Sequence, residues 1–268
     1  ISNVLWTQMR LYALSSIRER YHGPNEIVLR YSSYSSDSLE LNLNIDREKL
    51  LALIPALRMM THLYKLKIKD SKIGAEGMAA LPQAMSGMAG LGELDLSNNN
   101  GIGAEGAIAL APALERMPHM RALCLNDNDI GVDGAKALAP SLRVMTSLER
   151  LWIQTNNIGA EGAIALAPAL ERMPHMRELS LRDNDVGVDG AKAIAPTLMG
   201  MTDIRVLCMS SNKIGAEGAI PLTLALRKMP QMRELYVDRN DIGVDGAKAL
   251  APSLRVMTSL EKLWVHTN

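Results

Sequence analysis

The residues best suited to nucleophilic chemistry in this sequence of 268 residues are Cys124 and Cys208, its two cysteines. They hold equivalent positions on predicted strands that are three apart, which separates them by about 14 Å at the ordinary strand spacing. A disulfide needs Cα atoms within about 7 Å, so we expect two free thiols. No histidine occupies the outward positions of the adjacent strands, where a nucleophile would need a base. The cysteines therefore predict no catalytic site.

Two other patterns resemble metal sites without their geometry. His119 and His175 each follow a proline at one repeated turn position, which indicates a surface or framework role. The run from Asp127 to Asp133 carries three aspartates, as a calcium loop does, but its glycine and its last acidic residue are misplaced for such a loop. A turn followed by a capped helix explains the run better. We predict neither a metal nor a cofactor.

The charges argue against nucleic-acid and membrane partners. Twenty-nine basic and 29 acidic side chains leave no net charge to attract nucleic acid or an acidic membrane surface. Lys65, Lys67 and Lys69 alternate on one predicted strand, but Glu93 and Asp95 match them on the next strand. Cross-strand ion pairs therefore explain the lysines better than phosphate binding does. No apolar run approaches 18 residues, so we expect no membrane span.

One group of residues departs from the pattern of a solvated surface. Two of the three tryptophans, Trp152 and Trp264, occupy the central outward position of predicted strands, and so does Tyr236. Outward strand positions are polar unless something binds there, and aromatic and arginine side chains are enriched at binding hot spots. The candidate ligand-binding residues are Trp152, Tyr236, Trp264, Arg150, Gln154, Arg182, Asp238, Arg239 and His266.

A second interpretation of the aromatic residues is that Tyr236 and Trp264, on adjacent strands, simply cover each other as a cross-strand pair. We favour a binding surface, because exposed aromatic clusters usually mark one. An acidic or aromatic group of the partner would then be held between Arg182 and Arg239 by charge-assisted hydrogen bonds and stacking.

A repeat of 28 residues positions these side chains. Its phrase is apolar-x-x-apolar-x-apolar-x-x-Asn, as in MRALCLNDN from Met120 and MRELSLRDN from Met176. The alternation predicts a short strand, a glycine then turns the chain, and an Ala- and Leu-rich stretch predicts a helix of about three turns. Prolines such as Pro112 and Pro168 predict that this helix is kinked or shortened. The repeated asparagines from Asn99 to Asn240 are expected to be buried and bonded to the backbone of neighbouring turns.

Each strand, turn and helix can bury its apolar face only by stacking on the next unit. Right-handed crossovers then give one parallel sheet with the helices on its other side. Strands about 4.8 Å apart and helices about 10 Å wide force curvature. We predict an α/β fold: a curved solenoid, or horseshoe, with a parallel sheet on the concave face and helices on the convex face. Residues 1–35 are predicted to form an N-terminal helix–strand cap and residues 36–268 the repeats, the first degenerate and the last truncated.

From residue 36 to residue 268 the chain resembles the leucine-rich repeats of the ribonuclease-inhibitor type. The resemblance is carried by MRALCLNDNDIGVDGA from Met120 and by units with GAEG that alternate with units with GVDG. Among these proteins it is most similar to the repeat domain of the NOD-like receptors, nucleotide-binding receptors of innate immunity. That resemblance implies a cytoplasmic domain that senses a protein or other macromolecule and holds its receptor inactive. No GxxxxGK(S/T) loop is present, so a nucleotide-binding module would lie outside this chain.

Two alternative functions fit the same repeat. A freestanding protein inhibitor of the ribonuclease-inhibitor type would need that family's cysteine-rich, strongly acidic character, which is missing here, and a neutral face suits a basic nuclease poorly. A GTPase-activating repeat protein would need a catalytic arginine beside the nucleotide, and the sequence identifies none. The sequence identifies no catalytic machinery, and we predict that the chain is not an enzyme.

The two ends of the sequence suggest a fragment. It begins with Ile1 rather than methionine, and it ends at Asn268 without a helix after the last predicted strand. We therefore expect Leu260, Leu263 and Val265 to form an open edge at which the chain self-associates or frays. Two cysteines and the absence of an export signal in the sequence given suit a reducing compartment.

Overall fold

The computed structural model describes residues 28–30, 38–42, 45–99 and 101–268, and the helix expected between Val4 and Ile17 lies outside them. From the second described strand onward, strands and helices alternate. The strands are β1 (Val28–Arg30), β2 (Ser38–Asn42), β3 (Lys65–Lys69), β4 (Glu93–Asp95), β5 (Ala122–Cys124), β6 (Arg150–Trp152), β7 (Glu178–Ser180), β8 (Val206–Cys208), β9 (Glu234–Tyr236) and β10 (Lys262–Trp264). The helices are α1 (Arg47–Met59), α2 (Gly74–Met85), α3 (Gly103–Leu114), α4 (Gly131–Val144), α5 (Gly159–Leu170), α6 (Gly187–Leu198), α7 (Gly215–Leu226) and α8 (Gly243–Leu254).

These strands form one sheet in sequence order. From β2 to β10 every neighbouring pair is parallel, and each strand is followed by a helix that returns the chain to the next one. The α/β solenoid predicted from the repeat is confirmed. β1 differs, because it pairs antiparallel to β2. The boundary predicted between the cap and the repeats falls at residues 35 and 36, which are not among the described residues.

A continuous apolar core runs between the sheet and the helices. Leu123 and Leu125 are buried on the core side of one repeat, while Cys124 between them faces outward, as the alternation predicts. The methionines that repeat at the corner between helix and strand, such as Met145 and Met201, are also buried. Since strands need less lateral room than helices, the sheet lines the concave face of the solenoid.

The helices run through their prolines. Pro112 and Pro168 each lie two residues before the last residue of a helix of 12 residues. A proline removes one backbone hydrogen bond and clashes with the preceding turn, and near the helix end this loss affects only the last turn. The helices predicted despite the prolines are therefore confirmed.

Helix α4 receives its N-terminal cap from the neighbouring repeat. Asp133 lies in the first turn of α4, where the helix dipole favours an acidic residue, but no side chain caps the helix at Ile130. The N–H groups are satisfied by the next repeat instead: Gly131 N donates to the backbone oxygen of Asn156 at 2.8 Å, and Ile130 N donates to Asn156 Oδ1 at 3.3 Å. The capped helix expected for the run from Asp127 to Asp133 is therefore present, and its cap is supplied by the neighbouring repeat.

A ladder of buried asparagines joins the repeats, as predicted. In each step an Nδ2 group donates to carbonyl oxygens of its own and the preceding repeat, while Oδ1 accepts from the backbone N–H of the preceding asparagine. The ladder starts imperfectly, because Ser71 replaces the asparagine of that repeat and donates its N–H to the backbone oxygen of Asn98. Asn99 Oδ1 is thereby left without a partner. The members are Asn99, Asn128, Asn156, Asn184, Asn212 and Asn240.

The second glycine of each turn allows neighbouring helices to pack closely. A Cβ at Gly190 would lie 2.9 Å from Ala163 Cβ on the preceding helix and 2.8 Å from Val186 Cγ1. We expect Gly190→Val to lower the free energy of unfolding by about 2 kcal/mol, because α5 and α6 must separate. Urea unfolding followed by circular dichroism measures the effect. The matched control is Gly200→Val, because a Cβ at Gly200 meets a single carbonyl oxygen at 3.8 Å. Equal losses in the two variants would contradict the packing argument.

The far edge of the solenoid carries exposed apolar side chains. Leu263 and Val265 are exposed, and Leu260 is half-buried. Self-association at this edge stays a prediction.

Candidate functional site

The strand register aligns the central outward residues of the repeats in one column across the concave face. Trp152 on β6 lies between Cys124 and Ser180, and Tyr236 on β9 lies between Cys208 and Trp264. The period of 28 residues predicts this alignment, and the register confirms it. Large aromatic rings therefore stand on both sides of the small side chains of β7 and β8.

A groove of about 470 Å³ opens between these aromatic residues on β6 to β10. It contains eight of the nine residues that the sequence analysis selected: Trp152, Gln154, Arg182, Tyr236, Asp238, Arg239, Trp264 and His266. The ninth, Arg150, does not line it. The guanidinium of Arg150 turns away and contacts Glu93 Oε1 at 3.2 Å, across the small side chain of Ala122 on the strand between them.

Five lining residues of the groove, several of them at its floor, were not selected by the sequence analysis. Ser180 and Cys208 are short side chains in the aromatic column, and their size creates the depression between Trp152 and Tyr236. Asn126, Val206 and Ser210 complete the lining. The sequence does show two small residues between large ones in this column. They form a groove because the strands that carry them lie side by side in the sheet.

Tyr236 and Trp264 contact each other, with ring centroids 5.9 Å apart and planes tilted by 42°. Trp264 also contacts the ring of His266 at 5.3 Å. The hydroxyl of Tyr236 donates to Glu234 Oε2 at 2.6 Å, and Lys262 Nζ donates to Glu234 Oε1 at 2.8 Å. These bonds lower the pKa of Glu234 and raise the pKa of Tyr236. The cross-strand pair considered for Tyr236 and Trp264 therefore exists. The hydrogen bond to Glu234 holds the Tyr236 side chain in place.

Asp238 is the buried acidic group of the groove. Its side chain is 10% exposed, and its Oδ1 accepts a short hydrogen bond from Ser210 Oγ. Oδ2 lies 3.9 Å from His266 Nε2 and 4.0 Å from Arg239 Nε, which is too far for a hydrogen bond. One carboxylate oxygen is thus held by the scaffold, and the other faces the guanidinium of Arg239 and the imidazole of His266 at longer range.

The remaining polar side chains are held by local partners. Arg182 Nε donates to Asp183 Oδ2 at 2.7 Å, so its charge is largely compensated within its own turn. Gln154 Oε1 accepts from Ser180 Oγ at 3.0 Å. The backbone N–H of Gln154 donates to Asn126 Oδ1 at 3.1 Å. The polar side of the groove is therefore ordered before anything binds.

The other sequence patterns have structural explanations. Lys65 Nζ lies 2.6 Å from Glu93 Oε2, which confirms the predicted cross-strand ion pair. Cys124 and Cys208 are free thiols, as expected. His119 and His175 are exposed turn residues. Across the ranges that the structure describes, no three His, Cys, Asp or Glu side chains are grouped closely enough to hold a metal ion.

We expect Cys124 to resist alkylation in the folded protein. Burial, with a further contribution from Asp95, raises the pKa of its thiol to about 12. Because the thiolate is the reactive form, iodoacetamide at pH 8 should modify Cys124 about a thousandfold more slowly in a folded Cys208→Ser variant than in the same variant in urea. The folded rate should rise about tenfold per pH unit while the fold persists. Intact-protein mass spectrometry follows the rate, and similar folded and unfolded rates would contradict the burial of this thiol.

A comparison with protein-family models gives a match to the Leucine Rich repeat family. It covers residues 91–111, 116–139, 144–167, 172–195, 200–222 and 228–251, which together exceed half of the chain. The chain belongs to the leucine-rich-repeat family. Each matched segment runs from the end of one helix through the strand and asparagine turn into the next helix. The groove residues from Asn126 to Arg239 lie in matched repeats, while Trp264 and His266 follow the last matched segment.

Solved structures with this kind of fold share little sequence with the leucine-rich-repeat chain. The tropomodulin C-terminal domain of Caenorhabditis elegans is 18% identical with a TM-score of 0.47, over 57% of this chain and 92% of that one. An internalin of Listeria monocytogenes is 16% identical with a TM-score of 0.44, over 94% and 88%. A leucine-rich-repeat protein of Leptospira interrogans is 14% identical with a TM-score of 0.43, over 86% and 60%. A comparison with curated protein sequences gave no match.

Leucine-rich-repeat domains typically mediate protein binding and act as scaffolds rather than as enzymes. In the part of the chain that the structure covers, the concave face carries a groove of aromatic and polar side chains. None of the helices among the described residues has the length and apolar character needed to cross a membrane.

Proposed function

We propose that this leucine-rich-repeat domain binds a protein on its concave face, in the groove between Trp152 and Trp264. The observation that carries the proposal is the aromatic column itself, in which Trp152 and Tyr236 are half-buried on the concave face and Trp264 stands beside Tyr236. Aromatic and arginine side chains are the types enriched at the hot spots of protein interfaces.

Cross-strand packing explains only part of this column. Tyr236 and Trp264 cover each other, but the register neighbours of Trp152 are Cys124 and Ser180, neither of which is aromatic. Trp152 therefore gains little from the sheet beside it. A bound partner that spans β6 to β10 would cover both aromatic groups at once.

The proposal extends to the protein that carries this domain. The domain would sense a ligand and hold inactive an innate immune receptor similar to the NOD-like receptors, and this receptor would lie in the cytoplasm. This extended proposal is supported by the alternating GAEG and GVDG units and by two free cysteines, which suit a reducing compartment. The full reading frame tests it: a nucleotide-binding module encoded upstream is expected. Inhibition of a nuclease or stimulation of a GTPase by the purified domain would instead favour the two alternatives.

Protein binding itself is tested by selection. A displayed library of natural protein fragments is panned on the wild-type domain, and each binder is then measured against one concave and one convex variant. We expect binders that lose affinity with Trp264→Ala and keep it with Lys192→Ala, whose side chain pairs with Glu217 on the helical face. Binders that respond only to the convex variant would contradict the proposal, as would the absence of binders to the folded domain.

A further inference from the structure

Four side chains at the β9 and β10 end of the groove form a continuous cluster. Trp264 contacts Tyr236 on one side and His266 on the other, and His266 Nε2 lies 3.9 Å from Asp238 Oδ2. We call Tyr236, Asp238, Trp264 and His266 the aromatic–carboxylate cluster. It combines three rings with one carboxylate in the same pocket.

The carboxylate makes the floor of this pocket negative. Asp238 is the single acidic member of its outward column, whose other members are Lys69, Ser97, Asn126, Gln154, Arg182, Ser210 and His266. Its side chain is nine-tenths buried, so water screens it weakly. Among the described residues no donor lies within hydrogen-bond distance of Oδ2, which is not fully shielded from solvent and can therefore accept a donor from a bound group. The aromatic faces beside it add negative potential.

The arginines of the groove do not cancel this potential at the floor. Arg182 is occupied by Asp183 at 2.7 Å. The side chain of Arg239 is 59% exposed at the rim, with Nε 4.0 Å from Asp238, so solvent screens most of its field. The groove is therefore positive at its rim and negative at its floor. This distribution differs from the expectation that Arg182 and Arg239 together hold an acidic group.

We infer that the aromatic–carboxylate cluster receives a basic side chain, lysine or arginine, from the bound protein. The cationic group would bind Asp238 Oδ2, and the aliphatic stem would pack on the rings of Trp264 and Tyr236. Ser210 and Glu234 already fix the carboxylate and the tyrosine, so little side-chain entropy is lost on binding. The inference rests on the proposed function, because it names the chemistry that the same groove recognises.

The test uses random dodecapeptides displayed on phage and selected on the wild-type domain. We expect the selected peptides to share a lysine or arginine at one position. For the tightest peptide, that residue is replaced by norleucine, which keeps an apolar stem and removes the charge. Both synthetic peptides are then titrated against the wild-type domain and against Asp238→Asn, with tryptophan fluorescence as the readout.

The four affinities form a double-mutant cycle. The basic peptide should bind Asp238→Asn about tenfold more weakly than wild type, while the norleucine peptide should bind both domains equally. Asn occupies the equivalent position in another repeat, at Asn126, so the variant keeps a residue that the scaffold already accommodates. Its unfolding midpoint and circular dichroism confirm the fold. A second variant, Asp238→Ser, repeats the residue found at Ser210 and should give the same result.

Different outcomes overturn the inference and the proposed function. Peptides enriched in acidic residues, peptides without a shared basic residue, or a cycle without coupling would overturn the basic-side-chain inference. If such peptides still lose affinity with Trp152→Ala, protein binding in the groove stands. If the peptides ignore Trp152→Ala, Trp264→Ala and Asp238→Asn alike, both the inference and the concave site are wrong.

Discussion

Asn184→Leu is expected to destabilise the solenoid more than any surface substitution. Asn184 is fully buried, and its Nδ2 donates to the backbone oxygens of Ile153 and Leu181 at 2.8 and 3.0 Å. Its Oδ1 accepts from the backbone N–H of Asn156 at 3.0 Å. Leucine can make none of these bonds, and each buried group left unsatisfied costs about 1–3 kcal/mol. We expect the free energy of unfolding to fall by about 3 kcal/mol or more, measured by urea unfolding.

Two variants separate this loss from the effect of an added leucine. Gln231→Leu places the same side chain on an exposed turn residue and should change stability by less than about 0.5 kcal/mol. Asn184→Asp keeps an acceptor for Asn156 N–H but loses the donors, so it should also be strongly destabilising. An unchanged unfolding midpoint for Asn184→Leu would mean that the asparagine ladder does not hold the repeats together.

Binding should depend most strongly on Trp152 and Arg182. Trp152→Ala removes the ring at one wall of the groove, and Arg182→Ala removes a guanidinium at its rim. The binding partner is a protein fragment selected beforehand on the wild-type domain. We expect each variant to bind it about 30-fold more weakly, a loss of about 2 kcal/mol in binding free energy. Stability should barely change, because both side chains lie outside the core. Isothermal titration calorimetry gives the affinity, and thermal unfolding checks the fold.

The control for both variants is Lys136→Ala. Lys136 lies on α4, where its ammonium contacts Glu161 Oε2 at 2.6 Å on the exposed helical face. An exposed ion pair contributes little, so this variant should keep both its stability and its affinity. If Lys136→Ala weakened a partner that Trp152→Ala left unchanged, binding would belong to the convex face.

The repeat made most of the scaffold predictable. A period of 28 residues places each residue beside its equivalent on the next strand, so the aromatic column and the asparagine ladder follow from counting. Eight of the nine candidate residues selected from the sequence line the groove, and their role in binding stays a prediction. Alternation of apolar and polar residues also predicted which strand positions are buried.

Features that depend on side-chain direction or on distant neighbours were not predictable in this way. Arg150 shares a strand with Trp152, yet it turns toward Glu93 because the intervening Ala122 leaves room for its side chain. The start of α4 is capped by Asn156, which lies 26 residues after Ile130. The hydrogen bond to Asp238 comes from Ser210, 28 residues earlier in the preceding repeat. Each of these three features depends on contacts between different repeats, so the sequence of a single repeat does not predict it.

The central claim is that a protein partner binds the concave groove, and nuclear magnetic resonance tests it directly. The indole N–H signals of Trp152 and Trp264 report on the groove, while the methyl signals of the exposed Ile108, Ile164 and Ile220 report on the helical face. On titration with a selected protein fragment, the two indole signals should shift and the three isoleucine signals should stay in place. Shifts confined to the isoleucines, with both indoles unchanged at saturation, would contradict the claim.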